Sequence, residues 1–423
     1  MANPTGGRKN INKASFVDVI RLFIWNSGGL SFYFACKWVL TILVVRFSSG
    51  FEDAGFLALA MSITNIAFCI AAYNVRTYQV SDITNEYKSS TYVTARLITV
   101  TAAFLLCTFY CLIFIGIDYR SVIVIVYMLL ISGEAFSDVF QGMAQKLWRM
   151  DITGISLLVR GVVLIGVFTL LYIVSGLWLA ILGSSIMTIL VILLFEAKRL
   201  NKLEAFCIKF NWNELRKLLI TCFPLMLVTL LYISFISIAR ISLENATNVE
   251  TLGVFNSATI LSILIVQLAG FIFVPLVNFL SKSLSEGNYK LFNNIFLLTC
   301  GGIIVISSVG IILTIVFGEQ ILRLLFGDDI VAYAHLLTES FFVAGLASLL
   351  SFLMTVLVVM RKIKTILLGC AAGVLCCISL SQWFLSSFGI SGANYMQILG
   401  IGVSVGVLLI AYTVYFIRLR LES

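Results

Sequence analysis

Apolar stretches of about 20 residues, the length that carries an α-helix through roughly 30 Å of hydrocarbon, recur from one end of this 423-residue chain to the other with short polar connections between them. They lie near 22–46, 55–75, 94–117, 121–143, 153–175, 177–196, 217–240, 252–278, 292–317, 332–359, 365–388 and 393–417. Strands of a membrane barrel would alternate polar and apolar residues over about ten positions, whereas these runs are apolar on every side. A helix satisfies its own backbone hydrogen bonds inside lipid. With 61% hydrophobic and 11% charged residues, the chain has too little polar surface to disperse in water. The expected class is therefore an all-α polytopic membrane protein with about twelve transmembrane helices.

The polar, basic start MANPTGGRKNINKAS is not followed by a short apolar run with a small-residue cleavage site, so the first apolar segment is expected to stay as a span. Numbered 1 to 12, the even spans are followed by most of the basic residues, including Arg76, Lys88, Arg96, Lys146, Arg149, Lys198, Arg199, Lys202, Lys209, Arg216, Lys282, Lys290, Arg361 and Lys362. Arg46, Arg120, Arg240 and Arg323 fall on the other side. Because short basic loops stay in the cytoplasm, this bias predicts two cytoplasmic termini and an even number of spans. It also accounts for the net charge of +8 without a nucleic-acid partner, since the positive residues border the bilayer ends and form no basic domain. The ten cysteines, all but Cys207 within spans, have no ligand spacing and read as small packing residues, and one histidine, His335, makes no metal site. Loops on the outside are too short for an extramembrane catalytic domain, so no enzyme activity and no catalytic residue are expected.

The chain also repeats itself. RFSSGFEDAGFLALAMSITNIAF from Arg46 aligns with RISLENATNVETLGVFNSATILSIL from Arg240, setting Gly55 on Gly253, and the turn QKLWRMDITGISLL resembles VVMRKIKTILLG with Arg149 on Arg361. Equivalent residues at the same point of two six-span halves, in the same orientation, indicate a parallel duplication. The halves are residues 1–200 and 217–423, joined by a basic linker over 201–216. Two six-helix lobes of this kind leave a cleft, and rocking about it is the natural route to alternating access.

Ionisable residues within spans cost at least about 2.5–3.5 kcal/mol each on the insertion scale and call for a reason. Four stand out: Lys37, Glu134, Asp138 and Arg160. On span 1, Asn26, Gly29, Tyr33, Lys37 and Thr41 share one helical face, and on span 4 so do Glu134, Asp138, Gln141 and Gln145. By helical rise, Arg160 lies level with Glu134 and Asp138 and is expected to pair with one of them, while Lys37 lies nearer the midplane or beyond it. Lys37 either lines a wet cleft as the cation that receives an anion or pairs with Glu134. Spans 7–12 carry almost no interior charge beyond Glu339 and Arg240, so the binding chemistry is expected in the first half. Pro224 and Pro275 are possible kinks.

The stretches AGFLALAMSITNIAFCIAAYNVRTYQVSD and GEAFSDVFQGMAQKLWRMDITGISLLVRG, within the twelve-span plan, resemble the Wzx-type polysaccharide flippases of the multidrug, oligosaccharidyl-lipid and polysaccharide exporter superfamily. The resemblance implies a bacterial inner-membrane protein that moves undecaprenyl-pyrophosphate-linked oligosaccharide repeat units to the outer leaflet for a surface polysaccharide such as O-antigen or capsule. It also implies a polysaccharide polymerase and chain-length machinery as partners. A cationic cavity would then hold the pyrophosphate, with Lys37, Arg160, Asn26 and Tyr33 as its expected lining. Glu134 and Asp138 would be the carboxylates that couple Na⁺ or H⁺ or form salt bridges; no other cofactor is expected. The alternative is a cation-coupled multidrug exporter of the same superfamily, whose cleft should be dominated by acidic residues.

Overall fold

The computed structural model describes the backbone of residues 16–48, 50–82 and 84–421, and the side chains of that set other than 16–24, 26, 271, 272, 274, 275, 420 and 421. Among the described residues all regular secondary structure is helical. The first elements are α1 (Phe16–Phe47), α2 (Glu52–Ala72), α3 (Val75–Ser81), α4 (Ser89–Tyr110), α5 (Tyr119–Lys146), α6 (Met150–Ser175), α7 (Leu177–Val191) and α8 (Lys198–Leu203). They are followed by α9 (Trp212–Ala246), α10 (Val249–Thr259), α11 (Ile263–Ser285), α12 (Tyr289–Phe326), α13 (Ala334–Val359), α14 (Ile363–Phe388) and α15 (Gly392–Leu421).

Among the described residues, eleven continuous stretches are long and apolar enough to cross a membrane. One of them, Ile363–Leu419, contains both α14 and α15. The chain doubles back between them at Gly389, whose φ of 57° a residue with a side chain rarely adopts, and Ser404 then donates to the Gly369 carbonyl at 3.0 Å across the antiparallel pair. This stretch therefore supplies two crossings, giving the twelve that the sequence predicts.

Two departures from the expected spans have local causes. Span 8 is divided between α10 and α11 by a 3-10 turn at Ile260–Ser262. There the Thr259 hydroxyl bonds back to Phe255 and the Ser262 hydroxyl to Thr259, both at or below 2.8 Å, competing with the helical ladder. The loop after span 2 contains the unforeseen helix α3, entered through two consecutive left-handed residues, Tyr73 (φ 47°) and Asn74 (φ 55°). By contrast, α9 runs unbroken through Pro224, and the side chain of Pro275 lies outside the described residues.

The chain forms two compact units, Met1–Phe47 with Ile63–Met226, and Ser48–Ser62 with Leu227–Ser423. Equivalent turns in the two halves carry equivalent strained residues. Positive φ occurs at Gly116 and Gly327, at Trp148 and Arg361, and at Gly176 and Gly389. The turn at Trp148 corrects the sequence alignment by one position: Arg149 donates its amide to Ala144 and Lys362 donates its amide to Leu357, so Arg149 matches Lys362, with Trp148 on Arg361. The expected match of Arg149 on Arg361 fails because backbone geometry, not residue identity, sets the register. Gly55 and Gly253 do correspond, and they meet: a methyl group at Gly55 would strike the Val249 carbonyl, and one at Gly253 would strike the Phe51 carbonyl. The contact is reciprocal, as a duplicated element packing on its own copy requires.

Candidate functional site

Seven ionisable side chains of the first unit, Lys37, Arg76, Arg96, Glu134, Asp138, Arg160 and Glu196, form one connected chain along α5. At one end Lys37 of α1 pairs with Glu134 at 3.0 Å, and Tyr33, one turn earlier on the same face of α1, donates its hydroxyl to the same carboxylate at 2.7 Å. The Tyr33 ring also carries the Arg160 guanidinium, 4.7 Å from its centroid. Small residues allow α1 to come this close to α6: a methyl at Gly29 would sit 2.7 Å from the Gly154 carbonyl oxygen, and one at Gly154 2.5 Å from that of Trp25. From Gly29 to Thr41 the polar face read from α1 is therefore packed against its own unit, with Tyr33 and Thr41 buried.

Arg160 makes neither of its expected ion pairs. Glu134 is taken by Lys37, and Asp138 by Arg76 and Arg96, so Arg160 donates to Ser137 at 2.6 Å. Ser137 in turn donates to Glu196 at 3.0 Å, and Ser156 reaches the same carboxylate at 3.1 Å. Both Arg160 and Glu196 are fully buried. A guanidinium linked through a hydroxyl to a carboxylate keeps the interior charge balanced without direct contact. Arg160 Nε has no hydrogen-bond partner among the described residues, which leaves donor capacity unused.

At the other end, one guanidinium reaches three of the four polar residues of the α5 stripe. Arg76 reaches Asp138 at 3.4 Å, Gln141 at 2.8 Å and Gln145 at 3.5 Å, as side chains four and three positions apart on one helical face permit. Arg96 approaches Asp138 at 2.6 Å with its other nitrogen on the Ala71 carbonyl at 2.7 Å, a bond that Thr99 supplements. Ala71 sits in the last turn of α2, where carbonyls lose their helical partners and attract cations. The buried arginine thus caps one helix and neutralises a carboxylate on another.

Of the residues expected at the site, Lys37, Tyr33, Glu134, Asp138 and Arg160 all belong to this chain of contacts. The side chain of Asn26 lies outside the described residues. The Lys37 ammonium reaches Glu134, so of its two expected roles it takes the pairing with that carboxylate. Arg76, Arg96 and Glu196 complete the network, and sequence reasoning assigned none of them to it. The two arginines read as topological charge at span ends. Glu196 ends an apolar run, where a carboxylate is expected at the interface; a π-helical stretch, Ile192–Ala197, carries it inward instead.

In the second unit the corresponding interior is apolar. Trp148 and Arg361 are as far apart in sequence as Gly176 and Gly389, and that shift sets Ser137 on Leu350, Gln141 on Met354 and Arg160 on Gly373. Leu350 is buried among aromatic residues. Phe296 stacks on Tyr412 with centroids 3.9 Å apart and on Phe352 at 5.7 Å. Polar groups elsewhere in this unit include Glu339, which accepts from Asn394 and Tyr395, each at 3.0 Å, and the buried Glu244, Asn256 and Gln397.

No family model matches the sequence, and no curated protein does. Solved structures do match its fold. An inward-facing multidrug resistance MATE family transporter of the MOP superfamily superposes with a TM-score of 0.68 at 15% identity, over 96% of this chain and 99% of that one. A mutant of the Vibrio cholerae MATE transporter VcmN gives 0.63 at 13% identity, over 95% and 98%. A MOP superfamily transporter from Pyrococcus furiosus, described as having a binding pocket of reversed polarity, gives 0.62 at 15% identity, over 95% and 96%. From end to end, this chain has the two-lobe fold of the MATE transporters of the MOP superfamily.

Proposed function

We propose that this protein is a secondary transporter that carries its substrate across a membrane by alternating access of its two lobes. The observation that carries the reading is the fold match over nearly all of both chains, joined to a run of ionisable side chains inside the first unit. Such residues in a membrane interior mark ion or substrate pathways. Coupling would run through the carboxylates. Glu134, Asp138 and Glu196 are each held by cations or hydroxyls, so that taking up H⁺ or Na⁺ at any of them would release a partner and favour a different packing.

The names of the matched transporters favour a cation-coupled multidrug exporter. A second reading, the flipping of undecaprenyl-pyrophosphate-linked oligosaccharides, is favoured by the charge of the interior, where Lys37, Arg76, Arg96 and Arg160 face only Glu134, Asp138 and Glu196. A pyrophosphate and a glycan both lose water on entering hydrocarbon, and fixed cations with hydrogen-bonding groups replace it. A potential of about 100 mV, negative inside, would add roughly 4–5 kcal/mol of drive for two negative charges crossing the full field.

The experiment is reconstitution into proteoliposomes under an imposed potential, with a cationic dye in one arm and labelled undecaprenyl-pyrophosphate oligosaccharide in the other. Movement of dye alone supports the drug exporter. Movement of the lipid alone, lost in Lys37→Ala and restored in Lys37→Arg, supports the flippase. Movement of neither, in protein shown to be folded, overturns both substrate readings.

A further inference from the structure

The first unit also carries an amphipathic groove that the transport reading does not use. It has a volume of about 620 Å³ and is lined by Tyr73, Trp212, Arg216, Leu219, Ile220 and Phe223, with Asn213 at its edge. The α9 residues follow helical spacing on one face, and their chemistry changes with depth. Trp212 begins the helix, Arg216 is one turn further, and Ile220 and Phe223 follow. At about 1.5 Å per residue, the 35-residue helix is about 52 Å long. It exceeds the hydrocarbon thickness by roughly 20 Å, and the apolar run expected at 217–240 sets Trp212 and Arg216 just before the hydrocarbon, at headgroup level.

The segment leading into the groove is built to lie on a membrane. The amides of Cys207 and Lys209 donate to the Ser90 and Thr94 hydroxyls at 3.1 and 3.0 Å, which fixes an extended strip against α4. Ile208, Phe210 and Trp212, at alternate positions, are then left exposed, and the Phe210 and Trp212 rings lie 6.4 Å apart. On the far wall, Asn74 holds the left-handed turn against α9 by donating to the Leu225 carbonyl at 3.1 Å. Arg216 is exposed and has no hydrogen bond or carboxylate partner among the described residues. Glu214, its acidic neighbour, is engaged by Thr91 and Asn211 instead.

We propose that this groove binds an anionic phospholipid of the surrounding membrane, with the phosphate on Arg216 and an acyl chain along Ile220 and Phe223. An unpaired guanidinium at headgroup level above apolar side chains matches the order of charge and hydrocarbon in that ligand, and a tryptophan at the same level is a usual interfacial anchor. The proposal concerns the bilayer lipid and stands whatever substrate the protein carries.

The test is quenching of Trp212 fluorescence, taken as the difference between wild type and Trp212→Phe, in vesicles containing brominated phosphatidylglycerol or brominated phosphatidylcholine at equal mole fraction. Contact with one arginine beside an anionic headgroup should favour phosphatidylglycerol about fivefold. That preference should vanish in Arg216→Gln and persist in Arg216→Lys. Equal quenching by the two lipids in wild type, or a preference that survives Arg216→Gln, overturns the proposal.

Discussion

The two units share a helical plan and a set of strained turns, yet their interiors differ in kind. Along α5 the inward positions are Glu134, Ser137, Asp138 and Gln141, tied to arginines and a lysine from α1, α4 and α6 and from the short helix α3. Along α13 the corresponding residues are Ala347, Leu350, Ser351 and Met354, set among stacked aromatic rings. Where the first unit buries Arg160, the second has Gly373, which lets α14 meet the backbone of Gly400. A duplicated backbone can thus be held by either kind of interior. The apolar one gains stability from packing. The ionic one is costly to bury and holds together only while its charges stay matched.

The sharpest challenge to this contrast is Arg160→Leu. Removing one member of a buried ionic network leaves the others uncompensated and costs about 3–5 kcal/mol, so unfolding by denaturant in mixed micelles should shift by that amount. A variant as stable as wild type would mean that the ionic interior does not hold the first unit together. Next in size, Phe352→Ala in the second unit opens a cavity beneath Phe273 and Phe296, at about 3 kcal/mol by the usual range for a buried phenylalanine. Hydrogen exchange should rise in α12 and α13 while α5 and α6 keep their protection; loosening of both units alike would show that they do not behave separately.

A smaller effect is expected from turning part of the first interior into the second kind. Lys37→Met together with Glu134→Leu should change stability by no more than about 1 kcal/mol, whereas Lys37→Met alone should cost about 3 kcal/mol by stranding the carboxylate. A double-mutant cycle on unfolding measures the difference, and additive losses would deny that the pair acts as one unit. The smallest effect concerns the loop after α3. Burial acts to raise the Asp82 pKa, but the Glu86 amide, the Tyr92 hydroxyl, the Tyr87 amide and the Lys146 ammonium outweigh it and hold the carboxyl below its ordinary value. A depressed folded-state pKa gives stability that is complete above the unfolded value of about 3.9 and is lost as pH falls through the folded one. Amide exchange of Glu86 and Tyr87 should therefore be protected at neutral pH and lose protection in acid. In Asp82→Asn it should already be fast at neutral pH, with a stability loss of about 1 kcal/mol.

How much of this was legible in the sequence follows from the range of the forces involved. Span count and helical class came from hydropathy, because every backbone group in a bilayer needs a partner within its own helix. The shared faces of α1 and α5 were legible through helical periodicity, and the duplication through Gly55 and Gly253. Pairing was not. Arg160 was expected on Glu134 or Asp138 and instead bonds Ser137, because Lys37, Arg76 and Arg96 reach those carboxylates first. Arg96 read as topological charge at a span end, and Glu196, closing an apolar run, was not singled out.

The sequence by itself determined that this chain lives in a membrane as twelve helices in two repeated sets, and which helix faces are polar. Periodicity and hydropathy act within a single helix, so they can be read along the chain. Only the tertiary structure decided which charge neutralises which, that Glu196 turns inward on a π-helical stretch, and that the repeat registers Arg149 with Lys362. These outcomes depend on how far neighbouring helices slide and rotate against one another, and close packing fixes those offsets to a fraction of a helical turn.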